Sequence, residues 1–273
     1  LSDSSSFGRY VSEALNARCL VEKAYPEDPL DVSGNSSVLF TLGTYCGLHR
    51  TGGEPCVVLN KRSARVKQAG DLCFPGGRVS PAMDPLLGRF LGLPGLPLSR
   101  WPYWRRWKTK GSSKAERLSL LFATALREGL EEMRINPLGI DLLGPMPAQE
   151  LEMFSRVIYP MVVWIRRQRR FFPNWEVERV VYVPLRSLLT PESYARYRLR
   201  LEYSGKTPDG EGDSRVSPCF VHEGIRGREV LWGATYRIVT LFLKIVFDFE
   251  PPDMEALPIV HGTLGPDYLE GSP

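Results

Sequence analysis

Ala125-Leu126-Arg127-Glu128-Gly129-Leu130-Glu131-Glu132 is the stretch that decides how this chain is read. It sets one arginine and three carboxylates within six residues. A helix turns about 100° per residue, so Glu128, Glu131 and Glu132, at i, i+3 and i+4, share one side of it. Carboxylates this close repel one another, and a hard divalent cation held by oxygen ligands relieves the repulsion. The spacing therefore points to a Mg²⁺ or Mn²⁺ site that handles phosphate. The other reading is a solvated charged face. Leu118, Leu121, Phe122, Ala125, Leu126, Leu130 and Met133 form an apolar stripe opposite, with Gly129 in its middle. That glycine costs about 1 kcal/mol of helix propensity relative to Ala, and is tolerable where another backbone lies close. Ser113-Lys114-Ala115-Glu116 reads as a capping box that starts the helix.

About fifty residues upstream stands Gly70-Asp71-Leu72-Cys73-Phe74-Pro75-Gly76-Gly77-Arg78. Two glycines after a short apolar run mark a tight turn with close backbone approach. Together the two elements resemble the signature of the Nudix hydrolases. That signature runs Gly, five residues, Glu, seven residues, then Arg-Glu-apolar-any-Glu-Glu-any-Gly-apolar. Gly77 matches its opening glycine, and Arg127-Glu128 with Glu131-Glu132 match its second half. The preceding run from Leu59 to Gly77, with Lys61-Arg62-Ser63 and Phe74-Pro75-Gly76-Gly77, resembles the coenzyme A pyrophosphatase branch. Glu176 to Leu185 and Trp232-Gly233-Ala234-Thr235 also resemble that branch.

The chain departs from the pattern at several positions. Gly77 and Arg127 are far further apart than the signature allows, so the resemblance implies an insertion over about residues 85–112. Asp84 is the nearest candidate for the outer acidic position. Gly129 replaces an apolar residue, Arg134 replaces a glycine, and Gln68-Ala69 stands where a histidine is expected.

The resemblance implies an α/β/α sandwich around a mixed β-sheet, and a pyrophosphohydrolase that cleaves a nucleoside diphosphate linked to another group. Coenzyme A or a derivative is the first substrate it suggests. It implies metal ligation by Glu128, Glu131, Glu132 and the Gly77 carbonyl, with Arg127 holding a neighbouring carboxylate in place. Arg62, Arg65, Lys67 and Arg78, with Lys61, would meet substrate phosphates; otherwise they form a solvated basic strand end. A metal-bound carboxylate is a weak base, so the general base is expected at an unliganded acid. The candidates are Glu128, Glu150, Glu152 and Glu176. The rival expectation is a Nudix-fold module that binds a nucleotide or nucleic acid without hydrolysing it.

Bulk properties limit the other classes. The chain has 273 residues, 35 Lys and Arg against 31 Asp and Glu, and a formal net charge of +4. That excess is too small to argue for nucleic acid by itself. The cysteines Cys19, Cys46, Cys56, Cys73 and Cys219 are scattered without a Cys-x-x-Cys pair, which fits reduced thiols in a cytoplasmic protein. Neither a signal peptide nor a bilayer-spanning apolar run is expected. The three histidines share no spacing with a nucleophile, and no phosphate-binding Gly-x-x-x-x-Gly-Lys loop occurs.

The expected layout is an N-terminal extension over 1–35, a catalytic domain over 36–250 and a tail over 251–273. Strands are expected over 37–42, 56–60, 71–74, 158–165 and 177–183. Helices are expected around 10–17, 187–197 and 234–247, and an exposed loop over 203–217. Within the insertion, Arg100-Trp101-Pro102-Tyr103-Trp104-Arg105-Arg106-Trp107 interleaves aromatics and cations. It could stack a base, meet an anionic membrane, fold over the site as a lid, or pack on the domain or on a second subunit of a homodimer. Arg166-Arg167-Gln168-Arg169-Arg170 is a second basic cluster, read as solvated surface.

Overall fold

A computed structural model describes residues 4–18, 35–45, 53–109, 112–151, 156–168, 170–201, 216–224, 226–265 and 268. The central sheet is built on β1 (Asn35–Tyr45), whose side chains alternate between two cores. Leu39 faces one core, while Phe40 and Leu42 face the other. β2 (Glu54–Arg62) runs antiparallel to β1, and β7 (Arg156–Ile165) runs parallel to it on its other side. β5 (Ile140–Pro145) and β6 (Gln149–Leu151) pair antiparallel with β7, and β8 (Val177–Pro184) with β2.

The strands β1 and β2 part company beyond Thr41 and Val58, and the chain wedges between them. There β3 (Leu72–Cys73) pairs with Asn60 and Lys61 of β2, while β4 (Gly76–Arg78) pairs with Ser36 to Val38 of β1. The Leu39 N–H donates to the Pro75 carbonyl, closing the wedge. Gly76 is required here: a β-carbon on it would stand 2.6 Å from the Ser37 carbonyl oxygen.

Helices cover both faces of the sheet. On one face lie α1 (Ser4–Arg18) and α7 (Gly233–Phe247), with Phe7, Val11, Leu15, Phe242 and Leu243 buried against Phe40, Val162 and Trp164. On the other face lies the long acidic helix α5 (Ser112–Met133). It is preceded by α2 (Asp84–Leu91), α3 (Pro97–Arg100) and α4 (Trp104–Thr109). Burying a side chain such as Leu118 or Phe122 stabilises by roughly 1.5–3 kcal/mol, so this face is held chiefly by apolar area. The fold is thus mixed α/β, with a mixed central sheet between two helical layers.

A second sheet joins β9 (Tyr194–Leu201), β10 (Val216–Gly224), β11 (Gly227–Trp232) and β12 (Ile259–Leu264) in the order β11-β10-β9-β12. The stretch set apart as an N-terminal extension therefore contributes core side chains through α1. The stretch set apart as a tail supplies β12, which pairs parallel to β9.

Three local expectations are corrected. The helix expected over 187–197 is instead a short turn, α6 (Leu185–Leu188), followed by β9. Pro191 breaks the helical ladder, and Tyr194 to Leu201 find strand partners in β10 and β12. Leu130 leaves the apolar stripe and is 39% exposed. Gly129 takes the inward place because Leu39 Cδ2 and Ile135 Cδ1 would lie 3.0 and 3.2 Å from a β-carbon there, so its close neighbours are side chains and not a backbone. The tryptophans of the basic aromatic run do not offer stacking faces: Trp101, Trp104 and Trp107 are all buried in the core beside Leu98 and Leu118. Of the expected loop over 203–217, residues 203–215 lie outside the described ones, and β10 begins at Val216. Cys19, Cys46 and the Gly52 end of the first turn also lie outside them.

Candidate active site

The wedge brings the Pro75-Gly76-Gly77 bend against the C-terminal half of α5. Glu132 is caught between two donors. The Gly76 N–H donates to its Oε1 at 3.1 Å, and Asn60 Nδ2 donates to its Oε2 at 2.7 Å. Asn60 is fully buried at the end of the apolar run of β2, and its Oδ1 has no hydrogen-bond partner among the described residues. Glu128 lies directly against Gly77, where a β-carbon would collide with its carboxylate. Glu131 is turned outward, with its side chain 53% exposed.

Arg127 ties the acidic face to the start of α2. Its Nε donates to Asp84 Oδ1 at 2.8 Å, and its Nη2 donates to the Arg78 carbonyl at 3.0 Å. Its Nη1 stands 2.9 Å from Glu128 Oε1 and 3.4 Å from Glu131 Oε1. Asp84 is fully buried and also accepts from Thr124 Oγ1 and the Ser80 N–H, each at 2.7 Å. Arg127 is thus saturated by protein groups and orients carboxylates.

The electrostatics follow from burial and crowding. Burial pushes the Glu132 carboxyl up to about 7; the Gly76 and Asn60 hydrogen bonds oppose this, and the charges of Glu128 and Glu176 add to it. Burial also raises Glu128, against the pull of Arg127, with Glu131 and Glu176 adding to the rise. For Arg127 burial favours the neutral form, but the Asp84 hydrogen bond and the charges of Glu128, Asp84 and Glu131 outweigh it and hold it cationic.

Each expected site residue can now be placed. Glu128, Glu132, Gly77 and Arg127 meet at the bend, with Glu131 at its rim. Arg62, Arg65, Lys67 and Arg78 make no hydrogen bond or ion pair with the three glutamates among the described residues. Arg62 Nε donates back to the Lys67 carbonyl at 2.7 Å. Arg65, Lys67 and Arg78 are exposed. Lys61 turns away to Glu229 on β11, 3.2 Å distant, which also receives Arg179.

Among the base candidates, Glu176 lies within electrostatic reach of both Glu128 and Glu132. It is held there because its N–H donates to Asn174 Oδ1 and its carbonyl accepts from the Ser63 N–H. Glu150 is exposed on β6 and Glu152 lies outside the described residues. Asn60 is the site residue that sequence reasoning missed. Its signal was a lone amide closing an otherwise apolar strand, since a buried polar group needs a specific partner.

The donor set suits a hard divalent cation in kind, since its groups are carboxylates and a glycine carbonyl. Two desolvated carboxyls, each raised further by a neighbouring carboxylate, also gain from a cation. In their described arrangement, however, no three acidic, histidine or thiol groups are gathered as a metal-binding cluster among the described residues. Arg127 engages one oxygen each of Glu128 and Glu131 while Glu132 faces Asn60, so ligation by all three requires these side chains to draw together.

No family model and no curated protein matches the chain. Solved structures do. The chain is similar to a Nudix hydrolase from M. Smegmatis, RenU, at 11% identity and a TM-score of 0.35, over 56% of this chain and 72% of that one. It is similar to a MutT/nudix family protein from Enterococcus faecalis at 12% identity and a TM-score of 0.39, over 94% of this chain and 78% of that one. A third is the NUDIX domain of Shewanella oneidensis NrtR complexed with ADP ribose, at 16% identity and a TM-score of 0.33, over 61% of this chain and 79% of that one. Likenesses at these scores carry no argument about chemistry, which stands on the side chains alone.

Proposed function

We propose that this chain is a Mg²⁺- or Mn²⁺-dependent Nudix-type pyrophosphohydrolase acting on a nucleoside diphosphate linked to another group. The observation that carries the reading is the meeting of Glu128 and Glu132 with the Gly76-Gly77 bend, braced by Arg127 on buried Asp84. Three features of the resembled signature stand at one place: the opening glycine, the glutamate pair and an acid for the arginine. Asp84 fills that acidic role from beyond the signature's spacing, and the segment from about 85 to 112 is an insertion that packs on the domain.

In this reading Glu128, Glu131, Glu132 and the Gly77 carbonyl hold the metal. The bound ion would screen the phosphates and acidify a water. Glu176, with its backbone fixed by Ser63 and Asn174, is the best-placed unliganded base. Arg65 and Lys67, exposed on the neighbouring turn, and Arg78, exposed at the end of β4, meet the outer phosphates. Coenzyme A and its thioesters are the first substrates to try, followed by ADP-ribose and dinucleoside polyphosphates.

A second reading is a nucleotide-binding module without turnover, favoured by the engagement of Glu128 and Glu131 with Arg127. Phosphate-product release from that panel, with Mg²⁺ or Mn²⁺, separates the two. Metal-dependent turnover that falls by about 100-fold or more in both Glu131→Gln and Glu132→Gln is the expected result. Tight binding with no turnover in the wild type favours the module.

A further inference from the structure

The two basic clusters of the sequence, Arg100-Trp101 and Arg166-Arg167, are far apart in the chain and play no part in the carboxylate site. They meet at the opposite end of the central sheet. There a cleft of about 590 Å³ opens beside the edge strand β5, between α1 of one helical layer and α3 of the other. Its size falls within the range of small-molecule sites, roughly 300–1,000 Å³. Trp164, at this cleft, pairs with Leu42 of β1, whereas the wedge of the carboxylate site pairs with Ser36 to Val38. Five residues of strand from Ser37 to Leu42 separate the two places by roughly 17 Å.

The chemistry of the cleft is divided. Its floor is apolar, made by Trp101, Leu143 and Trp164, all buried. The Trp101 indole N–H is already used, donating to the Leu143 carbonyl at 3.1 Å, so the floor is preset. Its rim carries Arg9, Arg100, Arg166 and Arg167 against only Asp141 and Glu13. Asp141 is shared by Arg166 at 2.9 Å and Arg100 at 3.6 Å. Arg9 and Arg167 make no ion pair among the described residues, and both are exposed. The guanidiniums crowd one another: burial first and then the charge of Arg166 hold Arg100 below its ordinary value, in spite of Asp141. An anion with several oxygens relieves that crowding, and guanidinium forks match phosphate geometry.

We infer that this cleft is a second ligand site, separate from the carboxylate bend, that binds a small organic phosphate with its phosphate on the arginine rim and its organic body against exposed Pro102 and half-buried Tyr103 beside the apolar floor. Four arginines against two carboxylates leave an excess that suits a phosphomonoester dianion. Arg100 and Arg166 are held in place by the Ile140 and Leu138 carbonyls, at 2.6 and 3.1 Å, so the rim is partly preorganised.

The test is calorimetric titration of the full chain with AMP, and separately with inorganic phosphate, in EDTA. Chelation removes metal-dependent binding at the carboxylates, so failure here and failure of the hydrolase reading are distinguishable. The expected result is one AMP site that weakens by about tenfold or more in Arg9→Glu/Arg167→Glu, with inorganic phosphate bound more weakly than AMP. Both substitutions fall on exposed side chains without ion pairs among the described residues, and a melting curve matched to the wild type confirms folding. Arg228→Ala, on the second sheet and outside the cleft, should leave AMP affinity within about twofold. Absence of AMP binding at millimolar concentration, binding indifferent to the double charge reversal, or inorganic phosphate bound as tightly as AMP each overturns the inference.

Discussion

Two adjacent glycines at the bend meet different neighbours, and the difference separates folding from chemistry. A β-carbon at Gly76 would stand 2.6 Å from the Ser37 carbonyl oxygen and 2.8 Å from Val38 Cα, which are backbone atoms of the central strand. Gly76→Ala should therefore destabilise by about 1–3 kcal/mol in urea denaturation, because β1 itself must move. The atoms nearest a β-carbon at Gly77 all belong to the carboxylate end of Glu128, which can swing aside. Gly77→Ala should keep its denaturation midpoint while losing most metal-dependent turnover. Equal losses of stability in the two variants would contradict this division. Arg134 makes a further residue-scale prediction. Its φ of 56° is left-handed, at the position where the resembled signature carries glycine. The Ile135 N–H reaches back to the Gly129 carbonyl there and ends α5. Arg134→Gly should raise stability by about 1 kcal/mol, read as a higher urea midpoint.

At the scale of elements, α2 to α4 behave as part of the core. Trp101 is 2% exposed and bonded to the Leu143 carbonyl, so Trp101→Ala should cost about 3–5 kcal/mol and lower the melting temperature steeply. A mobile lid would lose little. Strand β10 supplies a pH prediction through His222, which burial holds below its ordinary value despite the charges of Glu229 and Glu223. A depressed histidine favours the neutral form in the folded state. Its contribution is complete above the unfolded value near 6.5 and is lost as pH falls through the folded one. Between pH 7.5 and 5.5 the wild type should lose more stability than His222→Gln, measured by denaturant midpoints. The elements also show what the sequence could and could not reveal. Glu128, Glu131 and Glu132 were legible as one helix face because a 3.6-residue period is local. β1, β2, β7 and β8 were legible because each carries a local run rich in apolar and β-branched residues. β9 was not, since Tyr194 to Leu201 becomes a strand only through partners at Val216 to Phe220 and Ile259 to Leu264. Asp84 was visible only as the nearest acid, because its bond to Arg127 crosses 43 positions of chain. The turning of Arg62 to Lys67 and of Lys61 to Glu229 likewise depends on contacts no local pattern encodes.

At the scale of the whole molecule, the strand at the centre of the sheet has its long parallel partner far along the chain. Ser37 Oγ donates to the Tyr159 carbonyl across 122 positions, and eight residue pairs join β1 to β7. Tyr268 OH donates to Asp71 Oδ2 across 197 positions at 2.6 Å, and Tyr10 OH donates to the Val246 carbonyl across 236. During synthesis, then, β1 leaves the ribosome well before the segment that flanks it. The apolar side of α1 stays partly bare until β5 and β7, and after them α7, have emerged. Closing such distant loops is slow compared with winding a helix, so nascent chains must wait with sticky surface uncovered. The expected practical outcome is aggregation during overexpression at high temperature, arising from topology and not from any weakness of the finished sheet.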